Sequence, residues 1–344
     1  MIERRQIWLW AAALAAMALI ACSCAKVERV GDEDPEWNGL TGDMPVRFSS
    51  GVSTKTTTGL PDDATMGVFA YYTKTSNWST SAKPNFMFNQ LVEGDDTDSD
   101  GYSDVWTYSP LKYWPNTTNH KVTFWAYSPY DANVALFNAG ANTTYTNDSK
   151  GIPDIRFTVT DGKTDFMTSD RINNRTKPSL STPVSFTFQH ALSLVDFTVE
   201  KVDDTDAFEV ILTSITLESM YKTGINRSDA WRNYSGALGS LTAFSGSQTV
   251  TTTETVVTDS GVMPIPQVLV RPIQGDEVKL RVIYTLQARG TSTVKTDAHL
   301  LALTGTWERG KHYTYKIKIT PDLPIEFTVS WTDWGSVDNY HLSN

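Results

Sequence analysis

From Met44 onward, apolar side chains in this chain recur at every second position. Val122, Phe124 and Ala126 form one such set, and Val184, Phe186 and Phe188 another. Val195, Phe197 and Val199 form a third, and Val278, Leu280, Val282 and Tyr284 a fourth. A period of two gives a pleated ribbon with one apolar face, and that face is buried only when the ribbon joins a sheet. Thr, Val, Tyr, Phe and Trp suit such a half-buried surface, and all are plentiful. Turn-forming clusters interrupt the ribbons at 59–63, 94–101, 115–119, 161–163 and 274–276. Convincing amphipathic helices are few, and only 131–140 and 205–214 have room for a helical turn or two. The spacing predicts an all-β chain of antiparallel sandwiches, not strands alternating with helices.

The start of the chain differs in kind. Arg4 and Arg5 precede an apolar run of 15 residues, 7–21, and LIAC follows at 19–22. A spanning helix needs about 20 apolar residues, so the run reads as a signal segment. LIAC has the form of a bacterial lipobox, which implies diacylation of Cys22 after removal of 1–21. Cys24 is the poorer acceptor. Residues 22–43 are polar, acidic and contain glycine, as a flexible tether does. The segment 171–183 (RINNRTKPSLSTP) is polar with two prolines and precedes a strong strand. It predicts an N-terminal β-sandwich at 44–176 and a C-terminal one at 177–344. No repeat of fixed period is visible, and the Thr-rich stretch 249–258 reads as an exposed strand or hairpin arm.

Charge and cysteine content exclude several function classes. The net charge is −10, and loss of Glu3, Arg4 and Arg5 with the signal takes it to −11. An acidic chain without basic blocks makes a poor partner for nucleic acid. Its contact with a membrane would come through acyl chains on Cys22. Both cysteines lie at the lipobox, so the folded part is expected to hold no disulfide and no thiol nucleophile. His120, His190, His299, His312 and His341 are scattered, and no nucleophile elbow, phosphate loop or His-Glu-x-x-His motif occurs. The expectation is therefore no enzyme, no catalytic residue and no cofactor. His190 reads as a hydrogen-bonded structural residue. Asp96-x-Asp98-x-Asp100-Gly101 matches half of a calcium loop, but the twelfth position is Thr107 where a bidentate Glu belongs. A solvated acidic hairpin loop accounts for it, and no metal site is assigned.

Aromatic strings are dense at 108–115 (YSPLKYWP) and 124–130 (FWAYSPY). Sugars stack on such rings, but core and edge packing uses them as readily. Eight segments in order are MGVFAYY (66–72), WTYSP (106–110), KYWP (112–115), FWAYSPY (124–130), TDFM (164–167), FQHAL (188–192), MPIPQ (263–267) and WERGKHY (307–313). Together, behind a lipobox, they resemble the fimbrillin family of Gram-negative Bacteroidetes, in its Mfa-like branch. The resemblance implies two tandem transthyretin-like Greek-key sandwiches. It also implies a structural subunit of a cell-surface pilus, exported as an outer-membrane lipoprotein. Partners would be other pilus subunits, with adhesion to host or bacterial surface receptors following from the filament.

In that family a protease cuts in the loop after the first strand, and a strand from the neighbouring subunit fills the vacated groove. Here the first strand holds Val46, Phe48 and Val52 on one face, and Lys55 in the next loop is the candidate cleavage point. The candidate donor strand is 325–331, where Ile325, Phe327, Val329 and Trp331 alternate with Glu326, Thr328 and Ser330. Full burial of four such side chains is worth about 6–12 kcal/mol gross. A last strand that completes its own domain has the same pattern. An uncleaved chain would stay lipid-bound as a basal anchor. The competing readings are a tip adhesin and a monomeric, lipid-anchored glycan-binding protein.

Overall fold

The computed structural model describes residues 38–52, 59–202, 207–227, 230–253, 255–256, 267–273, 278–292, 294–303, 305–321 and 323–334. Cys22, Lys55 and most of the expected tether lie outside them. The first strands in chain order are β1 (Phe48–Val52), β2 (Thr65–Lys74), β3 (Met87–Asp95), β4 (Val105–Thr107) and β5 (Lys121–Ser128). Next come β6 (Ala135–Phe137), β7 (Asp154–Thr158), β8 (Met167–Ser169), β9 (Ile172–Arg175) and β10 (Val184–His190). The later strands are β11 (Ser193–Lys201), β12 (Phe208–Arg227), β13 (Ala230–Val250), β14 (Thr255–Val256) and β15 (Val268–Val270). Last are β16 (Val278–Ala288), β17 (Val294–Leu303), β18 (Lys311–Ile319) and β19 (Glu326–Asp333).

The fold is all-β, as the alternation predicts. No helix occurs among the described residues. The helical turns expected at 131–140 and 205–214 are absent from the described residues of those windows. The first window holds turns and β6, and the second runs into β12. In the first, the Asp131 side chain accepts the Asn133 N–H at 2.8 Å, a local bond that competes with a helical turn.

Three sheets form the body. An eight-stranded sheet runs β1-β10-β8-β5-β2-β3-β4, with β9 also on β5. A six-stranded sheet runs β17-β16-β12-β7-β6, with β13 along β12. A five-stranded sheet runs β14-β11-β18-β19, with β15 on β11. β10 follows the 171–183 segment yet lies in the first sheet. β6 and β7 precede that segment yet join β12, with Thr158 opposite Thr223.

The eight-stranded sheet is apolar on both faces, as a central layer must be. Met66, Val68, Ala70, Val122, Phe124 and Ala126 join one core with Phe48, Phe186 and Phe188. Phe69, Tyr71, Trp125 and Tyr127 point the other way, into a larger core continuous with Leu194, Val282 and Ile317. The aromatic strings are therefore mainly core. Trp114, Phe124, Trp125 and Tyr127 are each buried.

Candidate functional site

The strands at the two ends of the described chain each end the order of a sheet. β1 lies parallel to β10, with Phe48 opposite Val184, Ser50 opposite Phe186 and Val52 opposite Phe188. Just before it, the Val46 N–H donates to the Lys112 carbonyl at 2.8 Å, and the Tyr108 hydroxyl donates to the Val46 carbonyl at 2.8 Å. Val46 and Phe48 are buried, and Val52 is packed against the same core. The Phe48 ring stacks on Phe186 at 5.6 Å and sits 5.4 Å from Tyr108 and 6.0 Å from Phe124. Between Phe48 and Val52 the inward position is Ser50, whose Oγ is buried without a hydrogen-bond partner. On the opposite face Ser49 Oγ lies 2.7 Å from Ser185 Oγ. A methyl group built on Gly51 would meet nothing within 4 Å.

β19 pairs antiparallel with β18, with Phe327 opposite Ile317, Val329 opposite Tyr315 and Trp331 opposite Tyr313. Its four apolar residues share one face but not one fate. Ile325 is 5% exposed in the larger core, whereas Val329 is 48% exposed and Trp331 61% exposed. Phe327 is partly buried, 5.9 Å from the Tyr315 ring. The far end is tied down by other means. Lys311 pairs with Asp333, and its Nζ lies 4.6 Å over the Trp331 ring. The Trp334 N–H donates to the Gly310 carbonyl at 2.9 Å, and the indole lies on the His190 ring. A long apolar residue exposed on a terminal strand invites a further partner.

The other candidate residues have structural surroundings. His190 Nδ1 is 2.6 Å from Asp165 Oδ2, and His312 Nε2 is 2.8 Å from Asp196 Oδ2. In the acidic loop, Asp96 Oδ1 accepts from the Ser99 N–H at 2.6 Å and Oδ2 from the Gly101 N–H at 2.8 Å. The Asp98 and Asp100 N–H groups also point to Oδ1. Partial desolvation works to raise the Asp96 carboxyl, and these four N–H groups outweigh it and hold it below its ordinary value. Asp98 is raised, first by the neighbouring charge of Asp100. Asp96, Asp98 and Asp104 do converge within 4.8 Å, but the first already serves the loop's own backbone. A cavity of about 170 Å³ opens beside Trp125, Asp170, Arg171 and Gln189. Ligand pockets usually have about 300–1,000 Å³, so it offers an oligosaccharide little room.

Sequence alternation marked both terminal strands. It did not mark Tyr108, Phe124 and Phe186 as the seat of Phe48, because the seat gathers residues from three distant segments.

The residues 53–334 match the model of a family described as fimbrillin-like. A fimbrium subunit, Fim1C of Phocaeicola vulgatus, is 28% identical over 195 residues. That match covers 53% of this chain and about half, 49%, of the relative's length. Among solved structures, a fimbrial protein from Bacteroides vulgatus superposes with a TM-score of 0.63 at 20% identity. The superposition covers 85% of this chain and 100% of that one, and it shows a shared fold. With the family model spanning most of its length, the chain belongs to the fimbrillin-like family.

Proposed function

We propose that this chain is a structural subunit of a cell-surface fimbria, carried to the outer membrane as a lipoprotein acylated at Cys22. It polymerises by strand exchange with other subunits, and adhesion to host or bacterial surfaces follows from the filament. The observation that carries this reading is the pair of terminal strands. β1 fills an apolar seat at the end of its sheet, and β19 holds Val329 and Trp331 in solvent at the end of another. Cleavage after Lys55 would release β1 and uncover Val184, Phe186 and Phe188. Phe48 and Val46 are worth about 1.5–3 kcal/mol each in burial, so a vacated seat is a strong apolar attractor. An incoming strand supplies ladder bonds for affinity and alternating side chains for register.

Deleting 322–344 tests the reading. The truncated chain is expected to form neither filaments by electron microscopy nor heat-sensitive ladders on gels. Normal filaments from it would overturn the proposal. N-terminal sequencing of sheared material distinguishes the roles: a start at Thr56 fits a stalk subunit, and a block at Cys22 fits a basal anchor. The glycan-binding alternative loses support, because the aromatic strings that suggested it are largely in the core.

A further inference from the structure

We infer that the last strand of a second copy enters the β1 seat in one register, with Phe327 in the position of Phe48. This rests on the strand-exchange reading above and assigns its geometry.

The inward positions of the first strand are Val46, Phe48, Ser50 and Val52, and those of the tail strand are Ile325, Phe327, Val329 and Trp331. Aligned in that order, they put a ring where Phe186, Tyr108 and Phe124 already surround one. They put Val329 where Ser50 buries a hydroxyl without a partner. An apolar side chain there removes the desolvation penalty that the native strand carries. Ile325 takes the buried place of Val46, and Trp331 takes the less covered place of Val52.

The outward positions agree as well. Thr328 falls on Ser49 and keeps a hydroxyl opposite Ser185 Oγ, which Ser49 meets at 2.7 Å. Ser330 falls on Gly51, where an added side chain meets nothing within 4 Å. Glu326 falls on Arg47, which is exposed.

Other registers fit worse. A slip of one residue turns Glu326, Thr328 and Ser330 into the core. A slip of two puts Ile325 or Val329 among the rings that hold Phe48, and the stacking contact with Phe186 is lost. The match also gives the exchange a direction, because the tail strand suits the seat better than the strand it displaces.

Paired cysteines in the full chain, in filaments grown on cells and oxidised in air, test the register. Facing residues on neighbouring strands lie within disulfide reach, and Ser49 and Ser185 point the same way. Ser185→Cys with Thr328→Cys is expected to give covalent ladders on boiled, non-reducing gels. The pairs Ser185→Cys with Glu326→Cys and Ser185→Cys with Ser330→Cys should give roughly ten-fold less. Stronger linkage in either of those pairs, or filaments with no linkage in any pair, overturns the assignment. Absence of filaments from the unmodified chain overturns the strand-exchange reading instead. Ser50→Val tests the direction: by improving the native strand it should slow polymerisation roughly ten-fold. An unchanged rate overturns the claim that the orphaned hydroxyl drives exchange.

Discussion

Trp334 lies flat on His190, with ring centroids 3.5 Å apart and planes 12° from parallel. His190 in turn is fixed by Asp165. The contact joins the residue after β19 to the end of β10, so the tail strand is anchored outside its own sheet. Ile325 anchors its start and the Lys311–Asp333 pair its end, and between them the side chains are largely exposed.

Trp334→Ala should therefore loosen the strand without unfolding the body. An aromatic pair contributes about 0.5–1.5 kcal/mol beyond its area, so amide exchange across Glu326–Asp333 should rise roughly ten-fold. Hydrogen-exchange mass spectrometry reads this directly. Unchanged exchange would mean that the β18 ladder alone holds the strand.

The buried tyrosines set an alkaline limit. Burial pushes the Tyr108 and Tyr145 hydroxyls up to about 12. Burial also raises Tyr127, and burial followed by the charge of Tyr145 raises Tyr71. Each is neutral in the folded state where the unfolded chain would ionise. The stabilisation is complete below the unfolded value of about 10 and is lost as pH rises towards about 12. Phenolate absorbance should lag the titration of free tyrosine and then appear together with loss of β-sheet circular dichroism. Smooth titration without unfolding would contradict the burial of these four groups.

Asp154 joins the two halves of the chain. It is fully buried on β7, and it pairs with Arg227 at 3.2 Å and with Arg232, while its Oδ2 accepts the Gly140 N–H at 2.9 Å. Asp154→Ala leaves both guanidinium groups without their carboxylate. Arg227 and Arg232 are themselves partly exposed, which places the expected loss near the low end of the range for broken buried pairs, about 3 kcal/mol. Urea unfolding of the variant gives the figure, and a loss within the range of an ordinary surface substitution would refute it.

The acidic loop is held by its own backbone. Asp96 already accepts N–H groups from Asp98, Ser99, Asp100 and Gly101. EDTA is expected to leave Tm unchanged, and Asp96→Ala to lower it in the presence or absence of calcium. A Tm that falls with EDTA and recovers with calcium would assign a metal to the loop.

Strand identity was legible in the sequence, because a two-residue period survives in any sheet. Val122, Phe124 and Ala126 fall on β5, and Val184, Phe186 and Phe188 on β10, each set on one face of one layer. Pairing was not legible. Ser49 and Ser185 touch across 136 residues, and nothing local to either announces the other. The proline-rich 171–183 segment shows the same limit. Its polarity and two prolines read as a domain boundary, yet 172–175 form β9 on β5, and which sheet β10 joins depends on which offers a free edge. The seat of Phe48 was beyond reach for a related reason: its walls come from β5, β10 and the residues after β4. The readings at Cys22 and Lys55 lie outside the described residues.

The floor beneath Phe48 is made by Phe186 and its neighbours on β10, and β10 is fastened along its other side to β8 through Phe188 and Ser169. That hold reaches only Phe188–His190, so losing the first strand would leave Val184–Thr187 without a neighbouring ladder strand. An incoming strand would then restore that ladder, so docking and the ordering of the acceptor would be one event.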